Sequence, residues 1–479
     1  MFSHNFIPPP PANNVLSNAT SSAPAPAMNT EDAATATYAR RLGLFSATML
    51  VVGGIIGSGI FLNPSIVAAR TGSATLTLVT WGLGAVIALL GAFIFAELGR
   101  RRPKVGGGYA YLREAFGPLP AFLYGWALLL AIATGAIAAV AVTFATYTTR
   151  LVGWPPEVVT PLALGAVALL SLVNVLGVEP GAALQNVFTL LKLAALGALL
   201  FAALLLPAAV VPVLPPPIAA VPLPTPTTLR DILLVVSTAL VPVLFSYGGW
   251  QQTNFVAEEM RDAERNLPRA LVLGVLIVVA VYMGANVAYL RALDVGGLAA
   301  STAPAADLMG MVAGEGGRRL IAAGIAASTF GFLDLVILVS PRVYQAMARD
   351  GLFFASFATL HPRYRTPVMA IGFQALVAAA LILTGSYGQL LDWVVFADWI
   401  FFGTTALTLV VFRRRDARAG VVDAGYRAPL YPLSVALFVL AAVYVVFGSI
   451  TSNPANAGRG VLLLVAGVPV FLFWRRRNR

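Results

Sequence analysis

Cysteine is missing from this 479-residue chain, and histidine occurs only as His4 and His361. No disulfide framework, thiol nucleophile or thiolate metal site is therefore available, and imidazole chemistry is almost excluded. Charge is scarce as well: Asp, Glu, Lys and Arg make up 11% of the residues, against roughly 25% in an average soluble chain. The phosphate-cradling pattern Gly-x-x-x-x-Gly-Lys-Ser/Thr does not occur, which argues against ATP drive within the chain. Nothing in the sequence calls for a cofactor or a metal.

What is present is apolar. Hydrophobic residues reach 59%, the mean hydropathy is +0.84, and nearly every charge falls between runs long enough to cross a hydrocarbon layer of about 30 Å. The formal charge of +11 and pI near 10.2 are not gathered into a basic face with interleaved aromatics, so no nucleic-acid partner is expected. Residues 1–38, rich in Pro, Ala, Ser and Thr and containing Pro8-Pro9-Pro10-Pro11, read as a disordered cytoplasmic tail. Spans are expected at 44–69, 75–98, 119–149, 157–177, 184–209, 231–257, 270–292, 318–347, 367–385, 389–412, 430–450 and 458–474. The fold class is thus an all-α membrane protein of about twelve transmembrane helices. Its core is assigned to 39–412, and 413–479 holds helices 11 and 12 with a short basic end.

Lys and Arg alternate with topology. Of the 31, 22 fall on the side that carries both termini, seven fall on the other, and Lys192 and Arg342 lie within spans. The positive-inside rule then makes both termini cytoplasmic.

Two spans carry interruptions. The first reads Val52-Gly53-Gly54-Ile55-Ile56-Gly57-Ser58-Gly59-Ile60-Phe61, followed by Pro64, which cannot donate to the carbonyl of Ile60. The sixth reads Pro242-Val243-Leu244-Phe245-Ser246-Tyr247-Gly248-Gly249-Trp250. Broken helices are tolerated at mid-depth only where they face protein or a wet cavity. Five spans separate the breaks, the arrangement of two five-helix repeats of inverted topology. Half-helix N-termini suit a carboxylate and half-helix C-termini an ammonium group, so the breaks suit a zwitterion. The plainer alternative is that Gly53-x-x-x-Gly57 is a close helix contact.

At these residues the chain resembles the amino acid–polyamine–organocation superfamily, in its branch of L-type amino acid transporters and bacterial permeases. The likeness covers roughly residues 40–430. It rests on Gly57-Ser58-Gly59-Ile60-Phe61, Phe245-Ser246-Tyr247-Gly248-Gly249-Trp250 with Glu258-Glu259, and Arg265-Asn266-Leu267-Pro268-Arg269. Ala96-Glu97-Leu98-Gly99, Gly106-Gly107-Gly108-Tyr109 and Pro341-Arg342-Val343-Tyr344 add to it. The resemblance implies a leucine-transporter-like fold, with a 5+5 inverted repeat plus two C-terminal helices and discontinuous helices 1 and 6. It also implies that Gly57, Ser58, Gly59 and Ile60 face a substrate carboxylate. Phe245, Ser246, Tyr247, Gly248 and Gly249 would surround the rest of the site, Phe245 acting as an aromatic gate. Trp250 reads better as core packing.

Lys192 in the fifth span costs about 3 kcal/mol if unpaired. The resemblance implies that its ammonium stands where sodium-coupled relatives hold sodium; the alternative is snorkelling to the interface. Tyr282 matches a family tyrosine joining that region, or simply packs. Asp334 departs from the family's usual neutral residue and could pair with Lys192 or Arg342, attract a cationic side chain, carry a proton, or be structural. Asp392 and Asp398 are expected near a helix start or packed internally.

The leading reading is a sodium-independent secondary transporter of amino acids in the plasma membrane, for neutral L-amino acid exchange or proton-linked uptake. Cationic amino acids or polyamines are the alternative. An intramembrane enzyme lacks a nucleophile or acid–base pair, while a channel or non-transporting sensor could share the frame. Partners are expected to be an amino acid and the bilayer. No disulfide-linked subunit is expected, and the chain would be a monomer or weak homo-oligomer.

Overall fold

The computed structural model describes residues 38–205, 226–384, 387–421 and 423–477. The tail assigned to 1–38 lies almost wholly outside the described residues, as does the side chain of Asp392.

Apolar runs in a medium without water must satisfy their own backbone groups, and the chain does so with helices. Eleven helices among the described residues are long and apolar enough to cross a membrane: Leu44–Thr71, Ala74–Arg101, Pro118–Val152, Pro156–Val175, Val178–Leu205, Leu229–Glu259, Ala263–Ala300, Pro304–Arg349, Phe396–Arg418, Leu433–Thr451 and Pro454–Arg476. With the shorter apolar helix Val368–Thr384 as the ninth, the spans number twelve. Boundary chemistry is visible at their ends. Gly72, at φ 63°, closes the first span, and the Ser73 hydroxyl accepts from the Leu76 N–H to start the second. Thr228 and Asp231 form a reciprocal capping box at the head of the sixth.

The seventh and eighth spans exceed the hydropathy prediction because each merges with a shorter helix across a kink, at Asp294 and at Ala313-Gly314 respectively. The third contains a π turn, Leu128–Ile132, in which the Thr134 hydroxyl donates to the Leu129 carbonyl at 2.6 Å.

Packing follows the inverted repeat. The first span touches the sixth, the second the seventh, the third the eighth, and the fourth the ninth. The fifth packs on the eighth as the tenth packs on the third, which is the pairing a pseudo-twofold relation requires. Large apolar side chains such as Leu204, Leu376 and Leu440 point outward, as a lipid-facing surface demands.

Two polar clusters tie the end of the bundle where most basic residues lie. Glu97, fully buried, accepts from Arg101 at 2.7 Å, from two nitrogens of Arg413 at 2.9 and 2.6 Å, and from the Ala428 N–H at 2.7 Å. Arg101 also pairs with Asp416 and, at 2.8 Å, with Asp423, which Arg100 meets as well. Nearby, the chain before the first span lies along the end of the sixth: the Arg41 and Leu42 N–H groups donate to the Glu259 carbonyl at 2.9 and 3.0 Å. The Arg261 N–H returns a bond to the Leu42 carbonyl, and the Glu259 carboxylate is paired with buried Arg342 at 2.8 Å.

Candidate functional site

Both predicted breaks are present. The first span is helical over Leu44–Ile55 and again over Gly59–Thr71, and the sixth over Leu229–Tyr247 before a 3₁₀ segment, Trp250–Glu259. Each proline frees a carbonyl four residues back, and another helix supplies the missing donor. Opposite Pro64, the Tyr289 hydroxyl donates to the Ile60 carbonyl at 3.3 Å; opposite Pro242, Arg70 donates to the Thr238 carbonyl. Asn63 then joins the two spans, donating to the Pro242 carbonyl at 2.9 Å and to the Ser246 hydroxyl at 2.8 Å.

A cavity lies between the breaks. Gly57, Ser58 and Gly59 line it from the first span, and Phe245, Ser246, Gly248 and Gly249 from the sixth. The first N–H groups of the half-helix starting at Gly59 have no intrahelical acceptor ahead of them, which makes this edge suited to an anion. Across from it, the helix that stops at Tyr247 ends on carbonyls, and Gly249, at φ 104°, turns the chain away with a conformation that favours glycine. Phe245 is partly exposed and lines the cavity.

The structure separates residues that the sequence grouped together. Ile60 is fully buried and does not line the cavity. Tyr247 is buried behind the break, its ring 5.7 Å from Trp81 and 5.1 Å from Tyr282. The Ser246 hydroxyl is committed to the Pro242 carbonyl and to Asn63, so it braces the break and is not a free donor. Trp250 packs on Phe95, Phe402 and Phe438.

The glycines also divide. A Cβ on Gly59 would stand 2.6 Å from the Ser246 hydroxyl oxygen, and one on Gly54 would stand 2.6 Å from a methyl of Leu335, so close packing accounts for both. At Gly57 the nearest atom would be in the Phe332 ring at 3.4 Å, an ordinary contact across the cavity. The helix-contact alternative therefore leaves Gly57 unexplained.

Lys192 is fully buried and does not snorkel. Its ammonium donates to the carbonyls of Gly53 at 3.1 Å and Ile56 at 2.7 Å, capping the first half-helix. The Tyr282 hydroxyl donates to the Ile55 carbonyl at 3.1 Å, and Ser328 donates to those of Ile56 and Gly57 at 3.3 and 3.2 Å. Protein donors thus occupy the carbonyl cluster where the first helix unwinds.

Asp334 forms an ion pair with neither Lys192 nor Arg342 among the described residues. One oxygen accepts from Asn174 at 2.8 Å, the other has no partner, and Arg342 pairs with Glu259. The cavity-facing residue of that helix is Phe332, two positions earlier; residues i and i+2 point to different sides of a helix. Asp334 consequently faces the fourth span and is not placed to attract a side chain in the cavity.

Sequence reasoning missed the remaining walls. The π turn of the third span and the turn after it contribute Leu128, Ile132, Ala133 and Ala136. The tenth span contributes Trp399, Phe402 and Asp398, the last expected near a helix start or packed internally. Apolar stretches gave no signal of which face looks inward.

The comparisons with known proteins agree with this architecture. The sequence pattern of the amino acid permease family matches residues 42–471. The serine/threonine exchanger SteT of Bacillus subtilis is 31% identical over 465 residues, covering 94% of this chain and all of its own. The human Asc-type amino acid transporter 1 is 33% identical over 451 residues, covering 92% of this chain and 84% of its own, and the human b(0,+)-type amino acid transporter 1 is 32% identical, covering 89% and 86%. With its family pattern matched nearly from end to end around a cavity between two broken helices, the chain belongs to the amino acid permease family.

Proposed function

We propose that this protein carries amino acids across the plasma membrane by alternating access, without sodium, exchanging neutral L-amino acids or taking them up with protons. The observation that carries this reading is the pair of opposed helix ends on one cavity, amide donors at the head of the half-helix that starts at Gly59 and carbonyls at the end of the sixth span, with mostly apolar walls beyond. A zwitterion of either side-chain type fits those ends, and the relatives named above are amino acid transporters or exchangers.

Lys192 supports sodium independence. Its ammonium already fills two of the carbonyls that a cation would need, and a second positive charge beside it would be repelled. In this reading residues 39–412 form the transport core and 413–479 the two added helices. Both termini are cytoplasmic, and the absence of cysteine leaves no route to a disulfide-linked subunit. The chain would work as a monomer or weak homo-oligomer.

The test is counterflow in proteoliposomes preloaded with unlabelled amino acid. Labelled amino acid should accumulate, and replacing sodium with choline should leave the rate unchanged. Failure of every amino acid to drive counterflow would sink the carrier reading, and a sodium requirement would overturn the role given to Lys192.

A further inference from the structure

Among the described residues lining the cavity, Asp398 is the one ionisable group. It stands on the tenth span, which packs on the third, and Ile132, Ala133 and Ala136 of the third line the same cavity, as do Trp399 and Phe402. Its carboxylate has no hydrogen bond or ion pair among the described residues, and it remains partly open to the cavity. A carboxyl group in such surroundings is stabilised by any donor that arrives there and is left stripped of water by a purely aliphatic group.

The main-chain ends of a bound amino acid are accounted for by the two helix breaks. The region around Asp398 is therefore where the side chain would lie. We propose that Asp398 selects substrates whose side chain carries an O–H or N–H donor over aliphatic ones of the same shape. This rests on the carrier reading above and adds to it the identity of the residue that reads the side chain. It also moves the preference for a donor or a cation from Asp334, which is buried against Asn174, to a carboxylate that faces the cavity.

The experiment is competition in the counterflow assay with isosteric pairs: threonine against valine, and serine against alanine. Lysine is the cationic arm. The parent protein should prefer threonine to valine, and Asp398→Leu should lower the threonine-to-valine ratio by about tenfold or more, the scale of one hydrogen bond to a charged group. Asp398→Asn, nearly isosteric, should keep most of the threonine preference. If the parent takes lysine, Asp398→Asn should lower the lysine-to-threonine ratio, which separates a cationic partner from a hydroxyl partner.

A threonine-to-valine ratio unmoved by Asp398→Leu overturns the proposal. So does a loss equal for every substrate, which would place Asp398 on the common α-amino group. Either result leaves the carrier reading intact as long as counterflow by the parent is present. Absence of counterflow in the parent removes the carrier reading itself.

Discussion

At the scale of single residues, the first span divides its glycines between packing and binding. Gly53 and Gly59 stand where a side chain would run into the fifth and sixth spans, whereas a Cβ on Gly57 would meet only the cavity-lining Phe332 ring, at an ordinary 3.4 Å. Gly57→Leu should therefore fill the cavity without breaking a helix contact. Substrate affinity is expected to fall by more than tenfold while the thermal unfolding temperature in detergent stays close to that of the parent. Unchanged affinity, measured by scintillation proximity or thermal shift with ligand, would show that Gly57 does not face the substrate. Lys192 illustrates the reverse case, a charge whose cost of about 3 kcal/mol is offset by two carbonyls that the helix break itself exposes.

At the scale of elements, what holds a broken helix in place is a neighbour that supplies what proline removed. Tyr289 and Arg70 do this for Ile60 and Thr238, and Asn63 binds the two broken spans to each other. The crossing needs Gly59, because a Cβ there would also lie 3.0 Å from the Ser246 Cα. Gly59→Ala should cost roughly 1–3 kcal/mol by overpacking, seen as a lower melting temperature. An unchanged melting temperature would mean that the crossing is looser than its geometry.

The same scale explains what was legible in the sequence. Gly57-Ser58-Gly59 and Pro242 with Gly248-Gly249 announce their breaks because glycine and proline act on the chain locally. The rest of the cavity could not be read. Leu128, Ala133, Phe332 and Phe402 sit in runs that are apolar on every side, so periodicity carries no information about which face looks inward. The π turn at Leu128–Ile132 has no residue signature, and helical phase decides that Asp334 meets Asn174 while Asp398 lines the cavity.

For the whole molecule, the polar clusters decide how the halves are held. Breaking the buried Glu97 pairing by removal of one partner should be severe, since it would strand a buried charge at a cost of about 3–5 kcal/mol. Asp423, in the loop before the eleventh span, offers a gentler probe. Burial raises the pKa of its carboxyl, but hydrogen bonds from Arg100 and the Gly425 N–H and the charge of Arg101 outweigh burial and hold it below the usual range. A carboxylate depressed on folding stabilises fully above its unfolded value of about 3.9 and loses that contribution as pH falls through the folded value. Asp423→Asn should thus lower the melting temperature at pH 7, with the gap to the parent closing below about pH 4. A gap that persists in acid would assign the loss to something other than charge.

The three bonds between the second half of the first span and the first half of the sixth have a mechanical meaning. Asn63 grips the Pro242 carbonyl and Ser246 near the breaks, and Arg70 grips Thr238 near the far end, so the two half-helices are pinned at both ends of their shared length. A tilt of either half-helix about its break, at Ile56–Ser58 or at Gly248-Gly249, would pull on the other through these bonds.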